Sequence, residues 1–471
     1  MTAVDESEIK GKKTDSDEEA LRLHAQYQGK IQVVPKCPIR DSNDFGYWYT
    51  PGVAAPCRAI EADVSRVYEF TNKSNLIAVV SDGSRVLGLG NIGPYAGLPV
   101  MEGKALLFKY LGGVDAVAIC LATQDERELM RSVQLLEPSF GGISLEDIAQ
   151  PRCFRVLESL RKTMTIPVWH DDQQGSATAV LAALINALKI TGKTIGSVKI
   201  AMIGMGAANV ATYRLLKMYG VNPVQIVACD SQGTLHWNRE DLKQRQTEFR
   251  EKWMVCRETD PEALKGGIQE TLHGADICIA FTRPIPGLIK AEWIRGMAKD
   301  AIVFACANPA PEIWPSDAKQ AGARIVATGR GDFPNQLNNS LVFPGIFRGA
   351  LDARASTIAD EMAMAAALEL ASCAEEVGLQ DDAILPTMAD WHVVPRVAAA
   401  TAIKAEELGL ARVTRSHDQY IEIATRRILD SRRLSQIVAD ETAQMCAISS
   451  PSLVLVHDHG STNPESLEQP T

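Results

Sequence analysis

The segment Val168 to Ala177 reads VWHDDQQGSA and sets two carboxylates, Asp171 and Asp172, side by side just past the apolar run TIPVW. Touching carboxylates repel unless a cation neutralises them or water screens them. A second adjacent pair, Glu146 and Asp147, lies in ISLEDIAQPRCF. Acidic side chains with no local thiol or paired-histidine pattern suit a hard divalent ion such as Mg2+ or Mn2+. Neighbours on an extended strand point to opposite faces. One of Asp171 and Asp172 is therefore expected to ligate an ion and the other to serve a nearby cation. Glu146 and Asp147 fall in a turn or helix start, where both can reach one ion. The competing reading makes each pair a solvated turn or a helix cap. Ser176, ahead of ATAVLAALINALKI, suits a cap, which leaves the two aspartates before it unexplained.

Two glycine loops compete for a dinucleotide. Gly88, Gly90 and Gly93 complete a GxGxxG, with Asp115 at a fitting distance, whereas Gly204-Met205-Gly206-Ala207-Ala208-Asn209 lacks the third glycine. A dinucleotide loop must leave a strand and open a helix, because the helix N-terminus holds the pyrophosphate. The second loop follows VKIAMIG and runs into AANVATYRLLKMYG. The strand QIVACD then ends in Asp230, placed to meet a ribose hydroxyl. The first loop continues into PYAGLPVM, with Pro94, Gly97 and Pro99, where no helix is expected to begin. Context therefore assigns the dinucleotide to the second loop and makes the first a backbone turn shaping a different pocket.

Tyr49 stands just before a Thr-Pro-Gly turn in YWYTPGVAAPC, and Lys104 at the start of an expected helix in PVMEGKALLFKYLGG. Alone, these read as packing and an ion-pair partner. The segment ATGRGDFPNQLNNSLVFPGIFRGA is rich in amides (Asn335, Asn338, Asn339), and Asn308 follows another apolar strand in FACANPAPEI. Such amides suit recognition of carboxylate and carboxamide groups, or a hydrogen-bonded loop.

The elements that must position these residues alternate along the chain. NLIAVVS, VDAVAIC, MTIPVW, VKIAMIG, QIVACD, ADICIAF, AIVFAC and RIVAT are short apolar runs, most separated by helix-patterned segments. That pattern predicts parallel sheets buried on both faces. The stretch from Val198 to Ala327 reads as one doubly wound domain, and Ile358 to Leu408 as helical. Residues 1–25 read as a mobile tail, with a short helix over Asp17–Tyr27, and 448–471 as loosely attached. The 471 residues exceed one ordinary core. A net charge of −10 disfavours nucleic acid and anionic membranes as partners. The ten cysteines form no CxxC or Cys/His cluster. With no signal-peptide pattern and no bilayer-length apolar run, a cytoplasmic protein with reduced thiols is expected.

Taken together, YTPGVA, SDGSRVLGLGNIG, PVMEGKALLFKY, LEDIAQPRCF, HDDQQGSA, MIGMGAAN, ANPAPEI, ATGRGDFPNQLNN and FPGIFRGALD resemble the malic enzymes, in particular the short bacterial type. The resemblance runs nearly collinearly from about Gln28 to Leu408. It implies an α/β fold with an N-terminal α/β substrate domain, a doubly wound Rossmann-type NAD(P)-binding domain and a helical C-terminal part. The expected boundaries are 26–174 for the catalytic and metal residues, 175–430 for the dinucleotide domain and C-terminal helices, and 431–471 for a helix end and loose tail. The implied activity is oxidative decarboxylation of malate to pyruvate and CO2 with NAD or NADP and Mg2+ or Mn2+.

By the same resemblance the metal ligands are Glu146, Asp147 and Asp172, with Asp171 beside Lys104. Lys104 becomes the general base and Tyr49 the general acid. Met205 to Ala208 and Asn308 touch the cofactor, while Asn339, Asn338 and Arg85 hold the substrate. A homodimer or larger homo-oligomer is implied. Gln174 and Ser176 depart from the expected histidine and threonine, and neither is an expected ligand. A neutral Lys104 requires a downward shift of about three pKa units; burial and a metal ion favour it and Asp171 opposes it. Open beside this reading are a metal-dependent 2-hydroxy-acid dehydrogenase that does not decarboxylate, an oxaloacetate decarboxylase, and a nucleotide-binding protein without turnover. The last has no need of Tyr49, Lys104 and the carboxylates.

Overall fold

The computed structural model describes residues 6–448. Within them lie two sheets. The N-terminal sheet contains β1 (Leu76–Ser81), β2 (Asp115–Cys120), β3 (Gly142–Leu145) and β4 (Val168–His170), all parallel, in the order β2-β1-β3-β4. The second contains β5 (Ile200–Ile203), β6 (Ile226–Asp230), β7 (Gly233–Thr234), β8 (Ile277–Ala280), β9 (Ala301–Ala305) and β10 (Ala323–Thr328). Its order is β10-β9-β8-β5-β6-β7, parallel except for β7, which turns back on β6. The chain leaves β5 to one side for β6 and crosses to the other side for β8, so a crevice forms at the C-terminal end of β5.

The apolar runs explain the second sheet directly. Ile200 and Met202 of β5 enter one core, and Ala201 and Ile203 enter another. Ile277 and Ile279 of β8 are divided from Cys278 and Ala280 in the same way. A period of two with both faces apolar buries the sheet between helices. The larger core is continuous with the N-terminal sheet, since it also holds Ile77, Val79, Ile143 and Trp169.

The structure adds elements and corrects others. The strands β3 and β7 were not expected. A helix does begin at the first glycine loop: Gly93–Gly112, with Pro94 in its first turn and Pro99 inside it. Proline is tolerated in a first turn because its missing N–H has no helical partner there. Lys104 therefore lies in the body of this helix and not at its start. Asp171–Gly175 is a wide π-type helical turn rather than extended strand, and it runs straight into the helix Ser176–Thr191. Ser176 is thus helical and makes no cap bond; Gly175 precedes it without one. The N-terminal helix spans Glu6–Tyr27, longer than expected. The loose end expected over 448–471 lies outside the described residues apart from Ile448.

The C-terminal helix His417–Ile448 returns to the N-terminal unit. Its Ser431 hydroxyl donates to the Lys109 carbonyl at 2.8 Å, and Arg432 donates to the Tyr110 hydroxyl at 3.1 Å. Wholly buried Arg348 makes a two-pronged pair with Asp352, at 2.9 and 2.8 Å, and also donates to Asn75 ahead of β1. No helix among the described residues is long and apolar enough to cross a membrane, and the described cysteines are free thiols.

Candidate active site

The C-terminal ends of β3 and β4 lie side by side, and the acidic pairs follow them directly. Lys104 reaches this point from the helix Gly93–Gly112. Its ammonium bonds to Asp171 Oδ2 and stands 3.3 Å from Glu146 Oε2 and 4.7 Å from the centre of the Phe343 ring. Asp171 is fully buried, and its other oxygen accepts the Trp169 indole N–H at 3.1 Å. A Cβ on Gly175 would fall 2.0 Å from Asp171 Oδ1, so only glycine lets the turn wrap this carboxylate. Glu146, also buried, accepts the Ser144 hydroxyl at 3.0 Å.

Asp172 leaves the turn in another direction. Its Oδ2 accepts the Asp147 amide at 2.8 Å and lies 3.8 Å from His170 Nδ1. Asp147 holds a left-handed backbone, φ +55°, which is strained for a residue other than glycine. Its carbonyl accepts the Arg85 amide at 2.9 Å, which pins that conformation. The adjacent aspartates do face different partners, through a helical turn and not through strand alternation.

Charge dominates this cluster. Burial works against a charged Lys104, but Asp171 and Glu146 outweigh it and hold the lysine above its ordinary pKa. Burial raises Glu146 well above the usual carboxylate range, Lys104 opposing. Burial, helped by Asp172, raises Asp147 to about 8. Burial lowers the His170 pKa, and neither of its ring nitrogens has a hydrogen-bond partner among the described residues. In this arrangement Lys104 is an ammonium, so the opposition from Asp171 prevails.

No three described His, Cys, Asp or Glu side chains close on one point as a metal cage. The donor chemistry nevertheless fits a hard divalent ion: Glu146, Asp147 and Asp172 are carboxylates gathered at two strand ends, all within the field of Lys104.

The second glycine loop meets the expected form. Gly204 follows β5 with φ +82°, and a Cβ there would fall 2.5 Å from the Phe281 carbonyl oxygen. A Cβ on Gly206 would meet nothing within 4 Å, so space stands open over the start of the helix Ala207–Tyr219. Met205 is buried. Asn209 sits behind the loop rather than on it. Fully buried, its amide donates to the carbonyls of Ile203 and Gly204, at 3.1 and 2.6 Å, where the third glycine would have allowed close packing. Asp230 is paired with Arg239 and Lys252, each at 3.2 Å.

Of the remaining candidates, Asn339 lies beside the Asp171 turn, its Cβ 3.1 Å from where a Gly175 side chain would start. Asn338 accepts the Ser340 amide at 2.9 Å. Asn335 is a staple, donating to Val326 and Asp381 carbonyls and accepting the Ile384 amide. Asn308 Nδ2 donates to the Gly329 carbonyl at 3.4 Å. The Arg85 side chain is exposed and donates to the Leu87 carbonyl at 3.1 Å. Tyr49 is 68% exposed, and no hydrogen bond joins it to Lys104 or to the carboxylates among the described residues. Sequence reasoning did not single out Ser144, Trp169 or Phe343, although each lies in a segment already quoted: ISLEDIAQPRCF, VWHDDQQGSA and FPGIFRGALD.

Residues 28–161 match the malic enzyme N-terminal domain family, and residues 173–406 match the malic enzyme NAD-binding domain family. The chain is 47% identical over 409 residues to the bifunctional malic/malolactic enzyme of Bacillus subtilis (strain 168), covering 86% of this chain and 97% of that protein. It is 46% identical over 385 residues to the NAD-dependent malic enzyme of Geobacillus stearothermophilus, covering 82% and 78%. Among solved structures, Entamoeba histolytica malic enzyme aligns with a TM-score of 0.90 at 44% identity, covering 94% of this chain and 92% of that one. The malic enzyme of Pyrococcus horikoshii Ot3 aligns with 0.83 at 49% identity, covering 89% and 96%.

Proposed function

This chain belongs to the malic enzyme family, and from that premise we propose which of its residues carry the oxidative decarboxylation of malate to pyruvate and CO2 with reduction of NAD or NADP. The observation that carries the reading is the Asp171–Lys104–Glu146 cluster at the ends of β3 and β4. Two bound groups supply what side chains lack: a dinucleotide on the Gly204–Asn209 loop accepts hydride, and Mg2+ or Mn2+ on Glu146, Asp147 and Asp172 is a Lewis acid.

Lys104 is the general base. An ammonium cannot accept a proton, so Lys104 must first release its own to solvent before its Nζ can take the C2 hydroxyl proton of malate; a divalent ion held by Glu146, Asp147 and Asp172 would favour that release. Asp171, bonded to Trp169, fixes the direction of the amine. Arg85, Asn338 and Asn339 hold the substrate carboxylates. Met205 to Ala208 and Asn308 line the cofactor, with Asp230 toward the ribose. Residues 26–174 form the catalytic unit and 175–430 the dinucleotide unit with its helices, in a cytoplasmic enzyme.

Tyr49 is the general acid that protonates the enol carbon, and it serves the site of a second copy. Three features support a homo-oligomer with this exchange. Phe45, Tyr47, Trp48 and Tyr49 are all exposed on one short segment. The helices Phe45–Trp48 and Ala54–Ala62 bury no residue within their own chain. A further apolar face is exposed by Val117 on the edge strand β2, Leu106, Tyr110, Leu434 and Ile437.

The activity is tested by adding malate and Mn2+ to the enzyme with NAD or NADP and following both nicotinamide absorbance and CO2. Reduced cofactor without CO2 would replace this reading with a non-decarboxylating dehydrogenase; neither product would end it. The Tyr49 assignment predicts that Tyr49→Phe and Lys104→Ala chains, each inactive alone, regain turnover when mixed and allowed to exchange subunits. Mixtures as inactive as their parents sink the exchange.

A further inference from the structure

Glu312 ends the segment ANPAPE and is wholly buried. Its Oε1 accepts the Thr282 amide at 2.8 Å and the Thr282 hydroxyl at 3.0 Å, and its Oε2 accepts the Ala307 amide at 3.1 Å. Thr282 lies just past β8 and Ala307 just past β9, so one carboxylate ties the ends of neighbouring strands. Its own carbonyl accepts the Ile289 amide at 3.0 Å, which anchors it from behind.

The loops it ties are the walls on which both glycine loops rest. A Cβ on Gly204 would meet Phe281 O at 2.5 Å and Thr282 Cγ2 at 3.0 Å. A Cβ on Gly88 would meet Pro284 Cγ at 2.5 Å and Asn308 O at 2.7 Å. The segment after β8 therefore supports the dinucleotide loop and, two residues on, the substrate-side loop. The segment after β9 supports the substrate-side loop and carries Asn308.

We infer that Glu312 is a positioning residue for the dinucleotide, fixing the spacing of the two loops against which the cofactor loop and the substrate-side loop close. The inference rests on reading Gly204–Asn209 as the dinucleotide loop. Three donors converge on this side chain, and only an ionised carboxylate presents acceptors to all of them with no donor of its own. Burial pushes the Glu312 acid up to about 7, and the amide donors oppose it. A glutamine would turn an NH2 toward one loop or the other, leaving an amide donor unmatched.

The test measures NADH and NADPH binding by fluorescence in the metal-free enzyme, beside melting temperature and the kinetic constants. Glu312→Gln is expected to weaken both dinucleotides by about tenfold or more, as an unmatched buried donor implies, with kcat at saturating cofactor largely kept. Glu312→Asp retains an acceptor-only group and should recover part of the affinity. A folded Glu312→Gln enzyme with wild-type affinity overturns the inference, as does a loss that follows melting temperature alone across both variants. If Glu312→Gln does not fold, Thr282→Val removes one donor and leaves the carboxylate in place. A weakening of about threefold supports the inference, and unchanged affinity overturns it. Failure of the wild type to bind either dinucleotide would instead remove the loop reading itself.

Discussion

The two glycine loops look alike in sequence and differ in what surrounds them. Gly88–Gly93 has the full fingerprint and opens a helix, yet the amides of Ile92 and Gly93 already donate to the Gly83 carbonyl at 3.2 and 3.1 Å. Pro94, next in line, has no N–H to offer. Its Gly88 is needed for close contact with Pro284 and Asn308. Gly204–Asn209 lacks a glycine, yet no backbone bond uses the amides of Gly206, Ala207 or Ala208 among the described residues, and space stands open over Gly206. A helix start is thus shared by both loops and decides nothing. Free amides beneath open space separate an anion cradle from a packing turn.

That contrast can be broken at three glycines. Gly206→Asp should have the largest effect, since its side chain enters the open space proposed for the pyrophosphate: dinucleotide affinity is expected to fall on the order of 100-fold, about 2.7 kcal/mol, with melting unchanged. Fluorescence titration of NADH measures it, and wild-type affinity would return the cradle to dispute. Gly204→Ala forces a side chain to φ +82° against the Phe281 carbonyl. It should lose about 1–3 kcal/mol of stability, read as a lower melting temperature. Gly88→Ala should act least: its Cβ presses on Pro284 and the Asn308 carbonyl and should raise the malate KM by about threefold, with a smaller loss of dinucleotide affinity than Gly206→Asp. Weaker NADH binding in Gly88→Ala than in Gly206→Asp would invert the comparison.

Much of this frame is legible in the order of residues. The runs of Val, Ile and Ala announce eight strands, because a parallel sheet buried on both faces must be apolar throughout. β3 hides in GISL, four residues opened by glycine, yet it delivers Glu146 and Asp147. The helix at Gly93 hides because Pro94, Gly97 and Pro99 read as breakers, although proline in a first turn is compatible with a helix.

In the site, two aspartates with different partners could be foreseen, but not the turn that separates them. Strand alternation and a helical turn both divide Asp171 from Asp172, and spacing alone does not choose. Hydrogen bonds such as Trp169 to Asp171 and Ser144 to Glu146 join residues two apart, which share a face at a strand end, but spacing alone does not tell which polar side chains will bond. The amides misled in both directions: Asn335 and Asn209 serve their own backbone, and Asn339 sits against the Asp171 turn. Tyr49 could not be located from spacing at all, since its exposed segment finds little to bury against in its own chain.

The return of the helix His417–Ile448 sets an order of events at birth. The N-terminal sheet has all its strands once His170 is made, but the helix that lays Ser431 on Lys109 and Arg432 on Tyr110 follows about 260 residues later. At about 5–20 residues per second, the gap is roughly 13–50 s. Through that interval the end of the helix Gly93–Gly112 lacks the partners that Ser431 and Arg432 bring, so this part of the N-terminal unit is completed only when the later helix arrives.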